Sequence, residues 1–298
     1  MRPEYPQFRP LSPEDQGLVT EFLALTPRTT CDLALANLFI WRECEVPSIT
    51  FIKDNLCILI NSHAEPSYFL EPLGKNDVLE TVEICLRHAG RVSRVGAGMA
   101  GQMPADRFHV VPIRDHFDYV YEVRSLAELK GKKYDGKRNQ IRKLTRLHPS
   151  YSFSPLEQKH AEQALALFDS WSHDREDANG EGTLPPVTIL CQRQALKEAF
   201  ASFDRLGLKG GAVFVDGAME GFIVTSAGTP ETATAHLQYA NYKIPGIYQV
   251  LLWETCRQIL SSFTFLNLEE DLGIPGLRKT KLSYQPIRLE EKFLITLR

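Results

Sequence analysis

LNLEEDLGIPGLRKTKLSYQP, running from Leu266 to Pro286, is the stretch on which the reading of this chain turns. An apolar, strand-like run from Phe263 to Leu268 leads into Glu269, Glu270 and Asp271 at the strand's tip. Gly273 and Gly276 bracket a turn, and Arg278, Lys279 and Lys281 follow at once. Unpaired charges are costly to bury, so such a segment makes a poor core. Two readings remain: the rim of a pocket for an ammonium group and a phosphate, or a solvated strand-to-helix turn closed by local salt bridges. If the strand continues, Asn267, Glu269 and Asp271 alternate onto one face. Two carboxylates that close would raise one another's pKa and give one of them the character of a base.

The 298 residues suit two domains of moderate size. Hydrophobic content of 43% and charged content of 24% are those of an ordinary globular protein. A net charge of -3 excludes a generic nucleic-acid coat, which would be basic throughout. The positive charge is instead gathered from Lys130 to Arg146, where Asp135 is the only acid among eight lysines and arginines. The six cysteines show no CxxC or metal-ligand spacing and are read as reduced, and no metal site is expected. MRPEYPQFRP lacks the apolar core of a secretory signal, and no apolar run approaches the ~20 residues of a membrane span. A cytoplasmic protein is expected.

Each half reads as a mixed α/β unit. In the first, Ser12-Pro13-Glu14-Asp15 starts a helix, a hairpin joins Ser48–Lys53 to Leu56–Asn61, and a helix runs from about Asn76 to His88. In the second, a loop rich in Gly, Pro and acids covers 174–186, and Asp216-Gly217 turns a hairpin. A strand over 232–239, the loop NYKIPGIYQ and a helix over 248–260 precede the final strand. The division is expected near residue 125, giving domains 1–125 and 126–298, with the basic helix opening the second.

The basic segment reads as a helix from about Gly136 to Leu147. Lys137, Ile141, Leu144 and His148 share one face, so Lys137 points inward while Arg138, Arg142, Lys143 and Arg146 stay in solvent. Lys137 either snorkels to water or holds an anion. Lys243-Ile244-Pro245-Gly246-Ile247-Tyr248 lies between a strand and a helix, where a glycine and exposed N–H groups serve as a phosphate cradle or as a plain helix start. Thr232, Thr234, His236 and Gln238 share a strand face, with His236 either a hydrogen-bonded structural histidine or a base. There is no GxSxG and no HExxH.

FDYVYEVRSLAELKGKKYDGKRNQIRKL, LKGGAVFVDG, HLQYANYKIPGIYQ and the opening stretch together resemble the family grouped with the C-terminal domain of phosphatidylglycerol lysyltransferases. The resemblance includes NLFIWRE (Asn37–Glu43) and is densest from Phe117 onward. It implies an α/β fold of two tandem GNAT-like domains, each a mixed, mostly antiparallel sheet flanked by helices, distantly similar to Fem-type aminoacyltransferases. It implies transfer of an acyl or aminoacyl group to an amine or hydroxyl, with aminoacyl-tRNA or acyl-CoA as donor and no tightly bound cofactor. GNAT proteins hold the coenzyme A pyrophosphate through a Gln/Arg-x-x-Gly-x-Gly/Ala loop. Here Lys243 and Gly246 fill the first two positions, and Tyr248 replaces the last small residue. On this reading Glu269 or Asp271 binds an ammonium group or acts as base, and Tyr284 protonates the leaving group. Lys137, Arg138, Lys243, Gly246, Tyr248, Arg278, Lys279 and Lys281 then surround the donor's phosphates. The alternative is a non-catalytic module binding RNA or a phosphorylated metabolite. An enzyme acting on anionic lipid fits less well, because the basic segment lacks a bulky apolar face.

Overall fold

A computed structural model describes residues 2–26, 29–62, 65–176 and 186–298. The first unit begins with β1 (Arg9–Pro10), α1 (Gln16–Leu25), α2 (Leu35–Ile40) and α3 (Arg42–Glu45). The hairpin of β2 (Ser48–Ile52) and β3 (Asn55–Ile60) follows, with Lys53 and Asp54 at its turn in the left-handed region (φ 51° and 62°). Then come β4 (Tyr68–Phe69), α4 (Val78–Ala89), β5 (Val92–Gly96), α5 (Ala97–Ala100) and β6 (Phe108–Pro112).

The second sheet and its flanking helices comprise β7 (Asp118–Glu122), α6 (Val123–Glu128), α7 (Asp135–Leu147), β8 (Ser152–Pro155), α8 (Ala161–Glu176) and α9 (Pro186–Ala201). They continue through β9 (Lys209–Val215), β10 (Ala218–Ala227), β11 (Thr232–Ala240), α10 (Ile247–Gln258), β12 (Phe265–Asn267), α11 (Pro275–Leu282) and β13 (Arg288–Glu290). The expected Gly/Pro-rich loop over 174–186 falls largely outside the described residues. The last strand, β14 (Lys292–Leu297), returns to the first sheet.

The strand orders are β1-β2-β3-β4-β5-β14-β6 and β13-β7-β12-β11-β10-β9-β8. Each sheet is mostly antiparallel and contains a parallel pair, β4 with β5 in the first and β11 with β12 in the second. Parallel neighbours cannot be joined by a hairpin, and the helices α4 and α10 make the two crossovers. The same strand–helix–parallel-strand step therefore occurs in both units, each a mixed, mostly antiparallel sheet flanked by helices as expected. The units are residues 1–118 with 289–298, and residues 119–288. The expected domain of 126–298 differs at both ends, because β7 already belongs to the second sheet and β14 lies between β5 and β6 in the first.

Lys292 shows how that returning strand is held. Its side chain is fully buried, and its ammonium pairs with Asp118 at 2.7 Å and Asp32 at 2.6 Å. Asp118 also accepts from the backbone N–H of Cys31 at 2.7 Å. A buried ammonium is tolerated only with such partners. Cys31, Cys57, Cys85 and Cys256 are buried thiols outside any disulfide; the reduced reading does not extend to Cys44 and Cys191.

Glu71, also buried in the first unit, accepts one hydrogen bond from the N–H of Gly96 at 3.0 Å. Burial pushes its carboxyl up to about 7 against that single bond. Above its ordinary value of 4.5 the unfolded chain releases the proton while the folded chain keeps it, so stability drains away between about pH 4.5 and 7. Glu71→Gln keeps an acceptor for Gly96 and removes the ionisation. It is expected to stabilise the protein at pH 8 by on the order of 2 kcal/mol, with no gain at pH 4.5, in paired urea melts.

Candidate functional site

In the second unit β11 and β12 pair for only three residues, Thr232 with Phe265, Ala233 with Leu266 and Thr234 with Asn267. Beyond that point they part. Strand β11 runs on to Ala240, while Leu268 and Glu269 bond to Tyr119 at the start of β7, through Leu268 N–H to the Tyr119 carbonyl (2.9 Å) and Tyr119 N–H to the Glu269 carbonyl (3.2 Å). His236 stands two residues past the last pair on one strand and Glu269 two residues past it on the other. Their side chains meet across the split, Glu269 Oε1 lying 3.0 Å from His236 Nδ1.

The register of β10 and β11 explains how His236 gets there. Val224 pairs with Leu237 and Thr225 with Ala235, leaving His236 as the inserted residue of a β-bulge. A bulge re-aims its side chain, so the simple alternation of Thr232, Thr234, His236 and Gln238 along one face does not persist. Ser226, on β10, lies with its Oγ 2.7 Å from His236 Nε2. With the carboxylate accepting from Nδ1–H, Nε2 is the acceptor for the serine hydroxyl. No motif announced this Ser226–His236–Glu269 chain. The signal available was a serine ten residues before a histidine on a hairpin, which is visible only once the register is known.

The acidic turn itself differs from the continuous strand expected. Strand β12 ends at Asn267, and Glu269 takes a left-handed backbone (φ 59°). That conformation is held on three sides. The Asn267 Oδ1 accepts from Glu269 N–H at 2.7 Å, Tyr119 bonds the Glu269 carbonyl, and Lys281 Nζ reaches the carbonyls of Leu268, Glu269 (3.0 Å) and Glu270 (2.7 Å). Asp271 faces elsewhere. It is fully buried and accepts from Tyr119 OH (2.5 Å), Arg278 Nε (2.9 Å), Arg278 Nη2 (2.8 Å) and Gly273 N–H (2.9 Å). Burial would raise this carboxyl, but the bonds from Arg278, Tyr119 and Gly273 outweigh it and hold it down at about 2. Asp271 is therefore no base, and the pair does not share one strand face. The alternative reading, local salt bridges closing a strand-to-helix turn, accounts for Asp271 and Arg278, while Lys281 closes the same turn through backbone carbonyls. Together they clamp the loop that carries Glu269.

The basic helix α7 has the expected phase. Ile141 and Leu144 are buried, Arg142, Lys143 and Arg146 are exposed, and Lys137 is half-buried. Lys137 Nζ donates to Ser283 Oγ at 2.6 Å and sits 3.6 Å from the centre of the Tyr284 ring. Burial lowers its ammonium to about 8. Tyr284 is itself buried, which pushes its phenol well above the ordinary tyrosine value and leaves it a poor acid near neutral pH. Arg138 is spent on its own approach loop, bonding the carbonyls of Leu129 and Gly131 and the carboxylate of Asp135.

At the start of α10, Gly246 is left-handed (φ 91°), and a Cβ there would lie 2.3 Å from the carbonyl oxygen of Gln140 in α7. The glycine thus lets two helices approach, a packing role. The Tyr248 hydroxyl accepts from Ala240 N–H at 3.3 Å and ties the loop to the strand before it. Lys243 and Lys279 are exposed. Gly246→Ala is expected to cost about 2–4 kcal/mol from backbone conformation and overlap together, read by denaturant titration. Anion affinity per folded molecule should be unchanged; lost affinity at unchanged stability would restore the phosphate-cradle reading.

A conserved protein of unknown function from Bacteroides thetaiotaomicron is 30% identical, with a TM-score of 0.87 over 98% of this chain and 99% of that one. The C-terminal domain assigned to a lysylphosphatidylglycerol synthetase of Agrobacterium fabrum is similar in fold, at 14% identity and TM-score 0.66 over 96% and 92% of the two chains. L-PGS from Bacillus licheniformis is similar at 13% identity and TM-score 0.62 over 94% and 91%. No curated protein sequence matches the chain. Residues 23–296 match the sequence profile of the phosphatidylglycerol lysyltransferase C-terminal family, and the chain belongs to that family.

Proposed function

We propose that the second unit transfers an acyl or aminoacyl group from aminoacyl-tRNA or acyl-CoA to an amine or hydroxyl. The observation that carries this reading is the parting of β11 and β12 with His236 and Glu269 joined across the split. Acyl transfer needs the reactants held together and a proton acceptor within reach of the attacking group, and the parting of the strands leaves an opening beside such an acceptor. Family membership supports a transferase. Glu269 fixes the His236 ring and balances the charge the ring gains on accepting a proton. Lys137, Lys243, Lys279 and the exposed face of α7 supply the positive field for a polyanionic donor. No helix among the described residues is long and apolar enough to cross a membrane.

The test is transfer of labelled acyl groups from charged tRNAs and acyl-CoAs, offered with phosphatidylglycerol vesicles, free amines and peptides. Salt-dependent RNA binding without turnover would favour the binding-module alternative. Within this assay, Lys137→Ala is expected to weaken donor binding by roughly tenfold or more and Lys143→Ala by much less, because only Lys137 is partly withdrawn from water. The Lys137 ammonium is charged below about pH 8, so the gap between wild type and Lys137→Ala should close as the pH rises through 8 to 10. Equal small losses for both variants would reduce α7 to a diffuse electrostatic patch.

A further inference from the structure

Between Ser226 and His236 the hydrogen bond is 2.7 Å, and between His236 and Glu269 it is 3.0 Å. A hydroxyl on one ring nitrogen and a carboxylate on the other form the nucleophile–base–orienter arrangement of covalent acyl transfer. Neighbouring strands β10 and β11 contribute Ser226 and His236, and the clamped loop after β12 contributes Glu269, so the three side chains are fixed by the sheet and by that loop. These parts also carry costs a purely structural network could avoid: an inserted residue in β11 and a left-handed, non-glycine backbone at Glu269. Ser226 and His236 are each 6% exposed, where a polar chain excluded from water acts strongly on a neighbouring charge.

We propose that Ser226 is the nucleophile that first takes the acyl group, so that transfer proceeds by two displacements through a Ser226 ester. The proposal rests on the acyl-transfer reading above. In the first step Ser226 Oγ attacks the acyl carbon of the donor ester or thioester while its proton passes to His236 Nε2. The bond to the donor's oxygen or sulfur breaks, and that atom leaves with the proton from His236. In the second step the acceptor's nitrogen or oxygen attacks the Ser226 ester and gives its proton to His236. The ester bond to Oγ then breaks and Oγ recovers the proton. Glu269 balances the imidazolium in both steps, and no oxidant or reductant is required.

The test treats the full chain with an alkyl fluorophosphonate and locates the adduct by peptide mass spectrometry, beside the transfer assay. One adduct on Ser226 is expected, forming at least tenfold more slowly in Glu269→Gln. Transfer should be lost in Ser226→Ala at an unchanged melting temperature. A folded wild type without a Ser226 adduct, or transfer retained in Ser226→Ala, overturns the proposal while leaving acyl transfer in place. A Ser226 adduct without turnover of any tRNA or CoA donor supports the nucleophile and overturns the reading on which the transfer step rests.

Discussion

Asp271→Asn is expected to destabilise the second unit by about 3 kcal/mol at neutral pH, the low end for breaking a buried ion pair, because Arg278 keeps 32% of its side chain in solvent. The asparagine oxygen can accept from only some of the donors that converge on this carboxylate. Its NH₂ group is then set against Arg278 or Gly273, donor against donor. For a unit of this size the loss corresponds to a fall in melting temperature of about 6–12 °C. The pH dependence follows from a folded pKa lowered to about 2 against an ordinary 3.8. The contribution is fully present above the unfolded value and is lost as the pH falls through the folded one. The gap between wild type and variant should therefore hold from pH 5 to 8 and narrow between about pH 4 and 2. Melts across that range decide it; unaltered stability at pH 7 with activity abolished would return Asp271 to the acceptor site.

For Glu269→Gln the expected effect is on rate. The glutamine oxygen can still accept from His236 Nδ1–H, but it carries no charge to balance the protonated ring. On the scale of a misassisted histidine base, transfer should fall by about 10²–10⁴ in kcat, with donor KM little changed. The backbone of Glu269 is held by Asn267, Tyr119 and Lys281 and not by its own carboxylate, so the fold should survive the change. Stopped-time transfer assays and melts on one preparation separate the two effects. Undiminished kcat would remove Glu269 and, with it, the His236 pair from the chemistry.

Several elements were legible because their causes are local. Asp216-Gly217 adopts the left-handed pair that a tight hairpin demands (φ 51° and 83°), and the inward phase of Lys137 follows from helical spacing alone. Strand alternation failed after Asn267, because a strand ends where its partners end, and β12 has partners for three residues. The charges of the 266–286 stretch identified a special segment but not its wiring. Arg278 turns back onto the Asp271 carboxylate, and Lys281 onto the backbone carbonyls of the acidic turn.

Composition, turn chemistry and periodicity determined the two α/β halves and the basic helix, since each depends on residues close together in the chain; the family was carried by the resemblance of whole motifs. The return of β14 to the first sheet, the bulge at His236 and the meeting of Ser226 with Glu269 were decided only by tertiary structure. Each depends on which strands pair and in what register, and register is settled by burial summed over the whole sheet. A slip of one residue would turn every side chain to the opposite face.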